Sequence, residues 1–302
     1  MIKNYPGKIL LFGEYSILYG TKGLVLPFSL FSGEWLFSQN TNNPLGSELE
    51  NFYQFSSKTG LKIHFNFKLF KQDIKKGLIF SSSIPTGAGL GSSGALIAAF
   101  YDRYAIQKQS FDNQGVDLNS IREDLAQLES YHHHKSSGID PLVSWLQRPI
   151  LLRGLRDIVV LNQFDGHATW LKKNNFKIFL IPTETSRSTG DWVHNFKLKQ
   201  ENTLFKKWFE KEYCPLVDNV VASFLSMDNS FFTNIFTLCL HQCEMMNDFM
   251  NVPVLKNLKD MIQNTQSAIK LCGAGGGGFF LLFTHEKNFQ TIQEKFNLIP
   301  VF

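Results

Sequence analysis

The feature that most constrains this chain is a glycine-rich turn that runs directly into an apolar helical pattern. Residues 85–95 read Pro-Thr-Gly-Ala-Gly-Leu-Gly-Ser-Ser-Gly-Ala, and residues 96–100 continue as Leu-Ile-Ala-Ala-Phe. Glycines permit a tight turn whose backbone amides point inward, and the first turn of the following helix adds unpaired N–H groups. The segment predicts a phosphate-binding loop. Taken alone, the segment fits equally well an ordinary loop that ends in a serine-rich helix N-cap and binds no phosphate.

In the phosphate-binding interpretation, each part of the loop has an expected task. The backbone would contact phosphate oxygens, and the two serine hydroxyls would serve a phosphate or a Mg²⁺ ion. The candidate phosphate-binding residues are Gly87, Gly89, Leu90, Gly91, Ser92, Ser93, Gly94 and Ala95. Neither Gly91 nor Gly94 is followed by a Lys-Ser or Lys-Thr pair, so the sequence lacks the Walker motif of P-loop enzymes.

Composition and charge narrow the class of protein. Of 302 residues, 43% are hydrophobic and 19% are charged, which predicts a folded protein with two domains. The net charge of +4 is not concentrated in a basic tract, so we expect neither nucleic acid nor a membrane as partner. The N-terminal residues lack a signal-peptide pattern, and no apolar run approaches the roughly 20 residues of a membrane span. We therefore expect a cytoplasmic protein.

The hydrophobic patterns predict an α+β protein with a β-rich beginning. Strands are expected at residues 8–12, 24–30, 34–37, 61–69, 77–81, 150–153, 157–162, 168–172, 177–181, 268–271 and 279–283. Helices are expected at about 92–106, 118–133, 190–200, 202–226, 231–248, 254–264 and 287–296. Asn174-Asn175 precedes a strongly apolar strand, which places a domain boundary between residues 1–174 and 175–302.

A second informative segment lies near the N-terminus. Lys8 begins an apolar strand, and a Gly13-Glu14-Tyr15 turn follows its end. A lysine in this position is either a solvated charge at the end of a strand or an ammonium directed at an active site.

A third segment carries two carboxylates, Glu129 and Asp140. Glu129 is expected one to two turns before the end of a helix, and Asp140 on the loop beyond it. If the chain folds back, one carboxylate could hold Mg²⁺ while the other accepts a proton from an attacking hydroxyl. The alternative is a surface glutamate and an unrelated aspartate in a turn.

A fourth segment is rich in glycine. Gly273, Gly275 and Gly278 match the spacing of the dinucleotide-binding fingerprint, but a strand follows them where that fingerprint requires a helix. So many glycines would instead allow a wall made of backbone alone to lie against a ligand.

Taken in order along the chain, these segments resemble the three motifs of the galactokinase, homoserine kinase, mevalonate kinase and phosphomevalonate kinase (GHMP) superfamily, and the match extends from Gly7 to about Phe283. The third segment is most similar to mevalonate kinases, because His133 and the Ser137-Gly138-x-Asp140 pattern stand at the expected positions. The resemblance implies the two-domain GHMP kinase fold, with an N-terminal domain like ribosomal protein S5 domain 2 and a ferredoxin-like C-terminal domain. ATP and the acceptor would bind in the cleft between them.

The resemblance also implies a role for each candidate residue. Asp140 would act on the acceptor hydroxyl, and Lys8 would stabilise developing charge. Ser93 and Glu129 would ligate Mg²⁺, and the loop of Gly89–Ala95 would wrap the phosphates of ATP. The residues expected at the substrate site are Glu14, Tyr15, His133, Arg187, Thr189, Gly275 and Gly276. The run Gly273–Gly278 would close the cleft.

Two departures from the mevalonate kinase pattern concern the acceptor. Tyr15 replaces a histidine, and Gly94 replaces an alanine, and both changes resemble bacterial phosphomevalonate kinases. We expect transfer of the γ-phosphoryl group of ATP to the hydroxyl of mevalonate, with phosphomevalonate as the alternative acceptor. A non-catalytic ATP-binding relative is the further alternative, whereas the Trp-Gly-Lys motif of a related decarboxylase is absent. The sequence leaves both a monomer and a homodimer open.

Overall fold

The computed structural model describes residues 3–39, 44–106, 117–133, 135–154, 156–185, 189–254, 258, 265 and 267–302. The chain divides into two compact units that interleave along the sequence. The first comprises Met1–Lys8, Pro27–Thr86 and Leu90–Arg148, and the second comprises Ile9–Leu26, Gly87–Gly89 and Pro149–Phe302. The sequence analysis predicted two continuous domains, residues 1–174 and 175–302, rather than interleaved units. That domain boundary stays a prediction.

Among its described residues, the first unit combines five helices with one whole strand and parts of two others. Its described elements are the start of β1 (Tyr5–Phe12), the second half of β2 (Lys22–Phe37), α1 (Pro44–Ser56), α2 (Phe67–Lys75), β3 (Leu78–Ser82), α3 (Ser92–Tyr104), α4 (Leu118–Glu129) and α5 (Ile139–Leu146). Strands β2 and β3 pair antiparallel, from Gly33 with Ser82 to Phe37 with Leu78. Helix α3 is central to this unit, because it packs against α4 and α5 and buries every residue from Gly94 to Tyr101.

Aromatic side chains fill much of the core of this unit. Phe52, Phe70 and Phe100 are fully buried, and the ring of Phe100 lies 5.1 Å from that of Phe52 and 4.9 Å from that of Phe70. Such edge-to-face pairs add roughly 0.5–1.5 kcal/mol each beyond the area that they bury. The abundance of phenylalanine, 29 residues in the chain, therefore serves packing here.

The second unit contains a four-stranded antiparallel sheet. Its described elements are the end of β1, the first half of β2, β4 (Ile150–Arg153), β5 (Asp157–Val160), α6 (Gly166–Lys173), β6 (Phe176–Pro182), α7 (Thr189–Lys199), α8 (Thr203–Trp208), α9 (Cys214–Leu225), α10 (Ser230–Met245), α11 (Asn247–Met250), β7 (Ala268–Leu271), β8 (Phe279–His285), α12 (Phe289–Gln293) and β9 (Ile299–Pro300). The sheet has the order β7-β8-β6-β9, which is the split β-α-β order expected of a ferredoxin-like domain.

The central strands of this sheet are apolar on both faces. Strand β8 pairs with β6, from Phe176 with His285 to Pro182 with Phe279, and with β7 on its other side. Its residues Phe279–Phe283 are all buried, and α10 packs on β7. The unit also contains a second group of paired strands. In this group, β4 pairs antiparallel with the first part of β2 on one side and with β5 on the other. The predicted α+β class is confirmed.

One predicted strand, at residues 61–69, is wrong. Helix α2 begins at Phe67, and the preceding residues form only an isolated bridge between Phe65 and Ala105. The alternation of apolar residues favoured a strand, but the side chain of Asn66 accepts a hydrogen bond of 2.9 Å from the N–H of Leu69 and caps a helix. Phe70 then turns into the core.

A second predicted strand, at residues 168–172, is also wrong, because this segment belongs to α6. His167 and Leu171 are the buried residues of α6, and they stand four residues apart on one helical face. Lys172 and Lys173 occupy the last turn, where positive charge favours a helix.

The remaining differences concern the bounds of elements and elements that the sequence did not predict. The strands predicted at 24–30 and 34–37 form the single strand β2, and α1 was not predicted. Most of the helix predicted at 254–264 lies outside the described residues. Within the part of the chain that the structure describes, no helix is long and apolar enough to cross a membrane.

Candidate active site

The glycine-rich loop before α3 has the backbone that its sequence predicts. Gly87, Gly89 and Gly91 have φ of 72°, 79° and 79°, a region that residues with a Cβ rarely occupy. In the first unit, the N–H of Lys8 donates a 2.8 Å hydrogen bond to the carbonyl of Leu90. The end of the loop is therefore fixed to β1.

The predicted phosphate-binding residues of the first unit differ in exposure. Leu90, Gly94 and Ala95 are buried, so Leu90 and Ala95 contribute packing and backbone, whereas Ser92 and Ser93 are half-buried. Gly91 stands at the N-cap of α3 and brings no side chain to the free amides of the first turn. These amides, the helix dipole and two hydroxyls are what this part of the unit can offer to an anion.

Lys8 and Asp140 meet beside this helix terminus. The Lys8 Nζ lies 3.1 Å from Asp140 Oδ2, with the lysine side chain 11% exposed and the aspartate side chain 31% exposed. Asp140 was expected on a loop, but it stands in the first turn of α5, after Gly138 with φ of 72°. Pro141 is tolerated in that first turn, so the Gly-x-Asp-Pro sequence was an available sign of a helix start.

Two glycines allow this close approach. A Cβ on Gly91 would lie 3.0 Å from Lys8 Cγ, and a Cβ on Gly94 would lie 2.9 Å from Asp140 Cβ and Pro141 N. The absence of a side chain at Gly94 therefore lets the start of α3 pack directly on the start of α5.

This packing makes Gly94→Ala a sharp test, although alanine is the residue that the resemblance would favour at this position. Overpacking against Asp140 and Pro141 is expected to lower the free energy of unfolding by about 1–3 kcal/mol. The matched control is Gly46→Ala in α1, where a Cβ would meet nothing within 4 Å and the change should be neutral or stabilising. Denaturant unfolding measures both. If Gly94→Ala is as stable as the original protein, the close approach of the two helices is wrong.

Glu129 is the last residue of α4, rather than one to two turns before its end, and it is 4% exposed. Its Oε1 accepts a 3.0 Å hydrogen bond from the Ser93 hydroxyl, and its Oε2 accepts one from the Ser136 hydroxyl. His133 is exposed, with its Nε2 3.1 Å from Ser93 Oγ. The structure thus brings the predicted residues Ser93, Glu129 and His133 together, and it adds Ser136 to them.

The electrostatics of this group suit a hard divalent cation. Burial and the charge of Asp140 raise the pKa of the Glu129 carboxyl to about 7, although the hydroxyls of Ser136 and Ser93 and the ammonium of Lys8 oppose the shift. A buried carboxylate beside a second one is stabilised in its charged form by a bound cation. A carboxylate and a hydroxyl are oxygen ligands of the kind that Mg²⁺ accepts beside phosphates and water. The residues present therefore fit Mg²⁺.

In the second unit, Glu14 is buried and forms an ion pair. Its Oε1 lies 2.5 Å from Lys270 Nζ, and the two side chains are 1% and 0% exposed. Burial raises the pKa of Glu14, and the Lys270 ammonium and the backbone N–H of Gly273 oppose this shift. Lys270 also donates to the carbonyl of Leu271. The structure places Glu14 against the start of the glycine run, and its predicted contact with a substrate stays a prediction.

Tyr15 and the glycine run lie among aromatic residues of the same unit. The ring of Tyr15 stacks on Phe196 at 4.1 Å, and its hydroxyl donates to the carbonyl of Ala274. A Cβ on Gly276 would overlap the indole of Trp192, and one on Gly275 would lie 2.4 Å from the carbonyl of Phe249.

Gly277 and Gly278 show the same restriction. Their φ values are 144° and 78°, and each would place a Cβ 2.4 Å from a carbonyl oxygen, that of Thr185 or Ala88. The glycine run is therefore shaped by this chain's own backbone and rings, whatever ligand it meets. Contact of Gly275 and Gly276 with a substrate stays a prediction.

Two other predicted site residues are not placed. Arg187 lies outside the described residues, and Thr189 begins α7 with a side chain that is not among those described. Conversely, the sequence analysis did not single out Ser136 as a partner of Glu129, or Lys270 as a partner of Glu14. Ser136 had a local signal, the Ser-Ser-Gly turn between the two carboxylates, whereas the partner of Lys270 is 256 residues away.

Comparison with known proteins gives the same assignment for part of the chain. Residues 49–147 match the family described as GHMP kinases N terminal domain. The mevalonate kinase of Archaeoglobus fulgidus is 28% identical over 160 residues, which cover 48% of this chain and 50% of that protein. The match thus spans about half the length of this curated relative.

Solved structures extend the likeness in fold to nearly the whole chain. A structure of L. major mevalonate kinase in complex with R-mevalonate has a TM-score of 0.66 at 15% identity, covering 100% of this chain and 96% of that one. A structure of Streptococcus pneumoniae phosphomevalonate kinase in complex with phosphomevalonate and AMPPNP has a TM-score of 0.60 at 16% identity, covering 97% and 95%. Residues 49–147 are therefore similar to the N-terminal domain of the GHMP kinases, and the chain as a whole has the fold of these solved kinases.

Proposed function

We propose that this protein is an ATP-dependent kinase that transfers the γ-phosphoryl group of ATP to the hydroxyl of mevalonate. The observation that carries the proposal is the grouping of Lys8, Asp140, Ser93 and Glu129 around the N-terminus of α3 in one compact unit. The chemistry of phosphoryl transfer needs a site for phosphate charge, a metal ligand set and a group that receives the acceptor proton. These residues supply all three.

In this proposal, the oxygen of the acceptor hydroxyl attacks the γ-phosphorus of ATP, and ADP departs. Asp140 receives the proton that the hydroxyl loses. The ammonium of Lys8, 3.1 Å from Asp140 Oδ2, orients this carboxylate and offsets negative charge on the transferred group. The amides at the start of α3 bind phosphate oxygens. Ser93 and Glu129 would hold Mg²⁺, which when bound neutralises phosphate charge.

The choice of acceptor rests on the supply of cations. A phosphorylated acceptor adds nearly two negative charges and calls for Arg or Lys beyond those that serve ATP. The candidate cations are Lys8, which already pairs with Asp140, together with Lys135, which is exposed, and Arg187. Two cations serve a carboxylate well, but a carboxylate and a phosphate poorly. Mevalonate is therefore our proposed acceptor, and phosphomevalonate is the alternative.

The proposed metal ligands are tested by titration of Mg²⁺ at saturating ATP. Glu129→Gln and Ser93→Ala should each raise the Mg²⁺ concentration for half-maximal turnover by about tenfold or more. The first variant removes the negative charge of one ligand, and the second removes the hydroxyl oxygen of the other. Asp165→Asn, which changes a carboxylate just before α6 in the second unit, should leave the titration unchanged. If neither Glu129→Gln nor Ser93→Ala shifts the titration, the assigned ligands are wrong.

A further inference from the structure

Ser136 lies in the short segment between α4 and α5, and the roles implied by the resemblance leave it without a task. Its hydroxyl donates to Glu129 Oε2 and accepts a 2.9 Å hydrogen bond from the N–H of Gly138. We propose that Ser136 is a positioning residue that fixes the metal-binding carboxylate of Glu129. This inference rests on the proposed function, because it assigns a second support to the same ligand.

The first argument is that the two oxygens of Glu129 are held from two different elements. Ser93, in the first turn of α3, contacts Oε1, whereas Ser136 contacts Oε2 from the segment before α5. The terminal torsion of a glutamate is broad and nearly free to rotate when nothing holds it. With one hydroxyl hydrogen-bonded to each carboxylate oxygen, the plane of the Glu129 carboxylate is fixed. Glu129 Oε1, which lies on the Ser93 side, is then the oxygen that Glu129 can offer to a cation together with Ser93.

The second argument concerns the direction of the hydroxyl proton of Ser136. A serine hydroxyl has one proton to donate and can accept through its lone pairs. Because the N–H of Gly138 donates to Ser136 Oγ, that oxygen is the acceptor in one hydrogen bond, and its proton is available for Glu129 Oε2. Ser136 is thus set to act as a donor toward the carboxylate.

The third argument is that the segment carrying Ser136 is itself held in place. The Arg122 guanidinium donates a 2.8 Å hydrogen bond to the carbonyl of Ser137. Gly138 has φ of 72°, and a Cβ there would lie 2.1 Å from the carbonyl oxygen of Arg122. The same segment leads into α5 and, two residues after Gly138, reaches Asp140. One short, anchored segment therefore sets both the orientation of Glu129 and the start of the helix that carries the proposed base.

Removal of this hydroxyl should weaken metal binding without touching a direct ligand. In Ser136→Ala, Glu129 Oε2 loses its donor and Gly138 loses its acceptor, so the carboxylate can rotate away from the cation. Loss of a group that supports a metal ligand typically weakens metal binding by 10–100-fold. We expect Ser136→Ala to raise the dissociation constant for the metal by at least about tenfold. Ser136→Thr, which keeps a hydroxyl, should stay within about threefold of the original protein.

The experiment measures binding of Mn²⁺, used in place of Mg²⁺, in the presence of AMPPNP, from the electron paramagnetic resonance signal of free Mn²⁺. The control is Ser130→Ala, which removes a nearby hydroxyl that donates to the carbonyl of Gln127. Thermal unfolding of each variant checks that it is folded. If Ser136→Ala is unstable, Ser136→Cys gives the same comparison, because it keeps the side-chain volume and replaces the hydroxyl with a weak S–H donor.

Weakened Mn²⁺ binding in Ser136→Ala, retained binding in Ser136→Thr and unchanged binding in Ser130→Ala would support the inference. If Ser136→Ala binds Mn²⁺ as Ser130→Ala does, Ser136 is not a positioning residue, and the proposed function is unaffected. If the original protein binds no Mn²⁺ with AMPPNP, the proposed function fails, and the inference fails with it.

Discussion

Replacement of Asp140 by asparagine is expected to lower kcat by at least about 100-fold and to leave ATP affinity nearly unchanged. The amide of asparagine cannot take the acceptor proton, and it removes the charge that pairs with Lys8 at 3.1 Å. Because the Lys8 side chain is only 11% exposed, the variant also leaves a largely buried ammonium without its carboxylate, so thermal unfolding must show that the variant is folded at the assay temperature. Steady-state turnover and binding of AMPPNP measure the two effects separately.

The matched control for this variant is Asp157→Asn. Asp157 also pairs with a cation, Arg153 at 3.7 Å, but it lies on β5 with its side chain 56% exposed, outside the proposed site. Turnover of this variant should equal that of the original protein. Near-normal turnover of Asp140→Asn would remove Asp140 from the mechanism.

Replacement of Lys270 by methionine is expected to lower the free energy of unfolding by about 3–5 kcal/mol. This variant removes one partner of a fully buried ion pair and leaves the carboxylate of Glu14 without its cation in the interior. The double variant with Glu14→Gln removes the orphaned charge, so it should be more stable than Lys270→Met alone by about 1 kcal/mol or more. Urea unfolding of the single and double variants measures both differences.

An exposed ion pair of similar length is the control for this prediction. Lys62 lies 2.7 Å from Glu123, with both side chains largely in solvent. Lys62→Met should leave the unfolding midpoint almost unchanged. If Lys270→Met lowers the free energy of unfolding no more than Lys62→Met does, the burial of the Glu14–Lys270 pair is incorrect.

The parts of the site that the sequence predicted are those coded by local signals. The glycines of the loop predicted a tight turn, and the apolar residues after them predicted a helix from about residue 92, which is where α3 begins. The resemblance implied that Ser93 and Glu129 lie together as metal ligands and that Lys8 and Asp140 act at one reaction centre, and the structure places each pair in contact. The helix that bears Asp140 was not predicted, since the Ser-Ser-Gly turn before it indicated a loop.

The parts that the sequence did not predict depend on contacts between distant segments. Nothing near Lys270 indicates that its partner is Glu14. The glycine run predicted a wall of bare backbone, but it did not predict that Trp192 and Phe249 lie against Gly276 and Gly275. Apolar alternation at residues 61–69 favoured a strand, because a period of two cannot report that Asn66 caps a helix.

The most direct test of the account is a side-by-side assay of ATP turnover with mevalonate, phosphomevalonate, homoserine and galactose as acceptors. We predict that mevalonate gives the highest kcat/KM, at least about tenfold above phosphomevalonate, because a phosphate left unpaired in a partly desolvated site costs on the order of 1–3 kcal/mol. A higher kcat/KM for phosphomevalonate would contradict the proposed acceptor while leaving the roles of Lys8, Asp140 and Glu129 in place. Absence of acceptor-dependent ATP turnover with all four alcohols would contradict the proposed kinase itself.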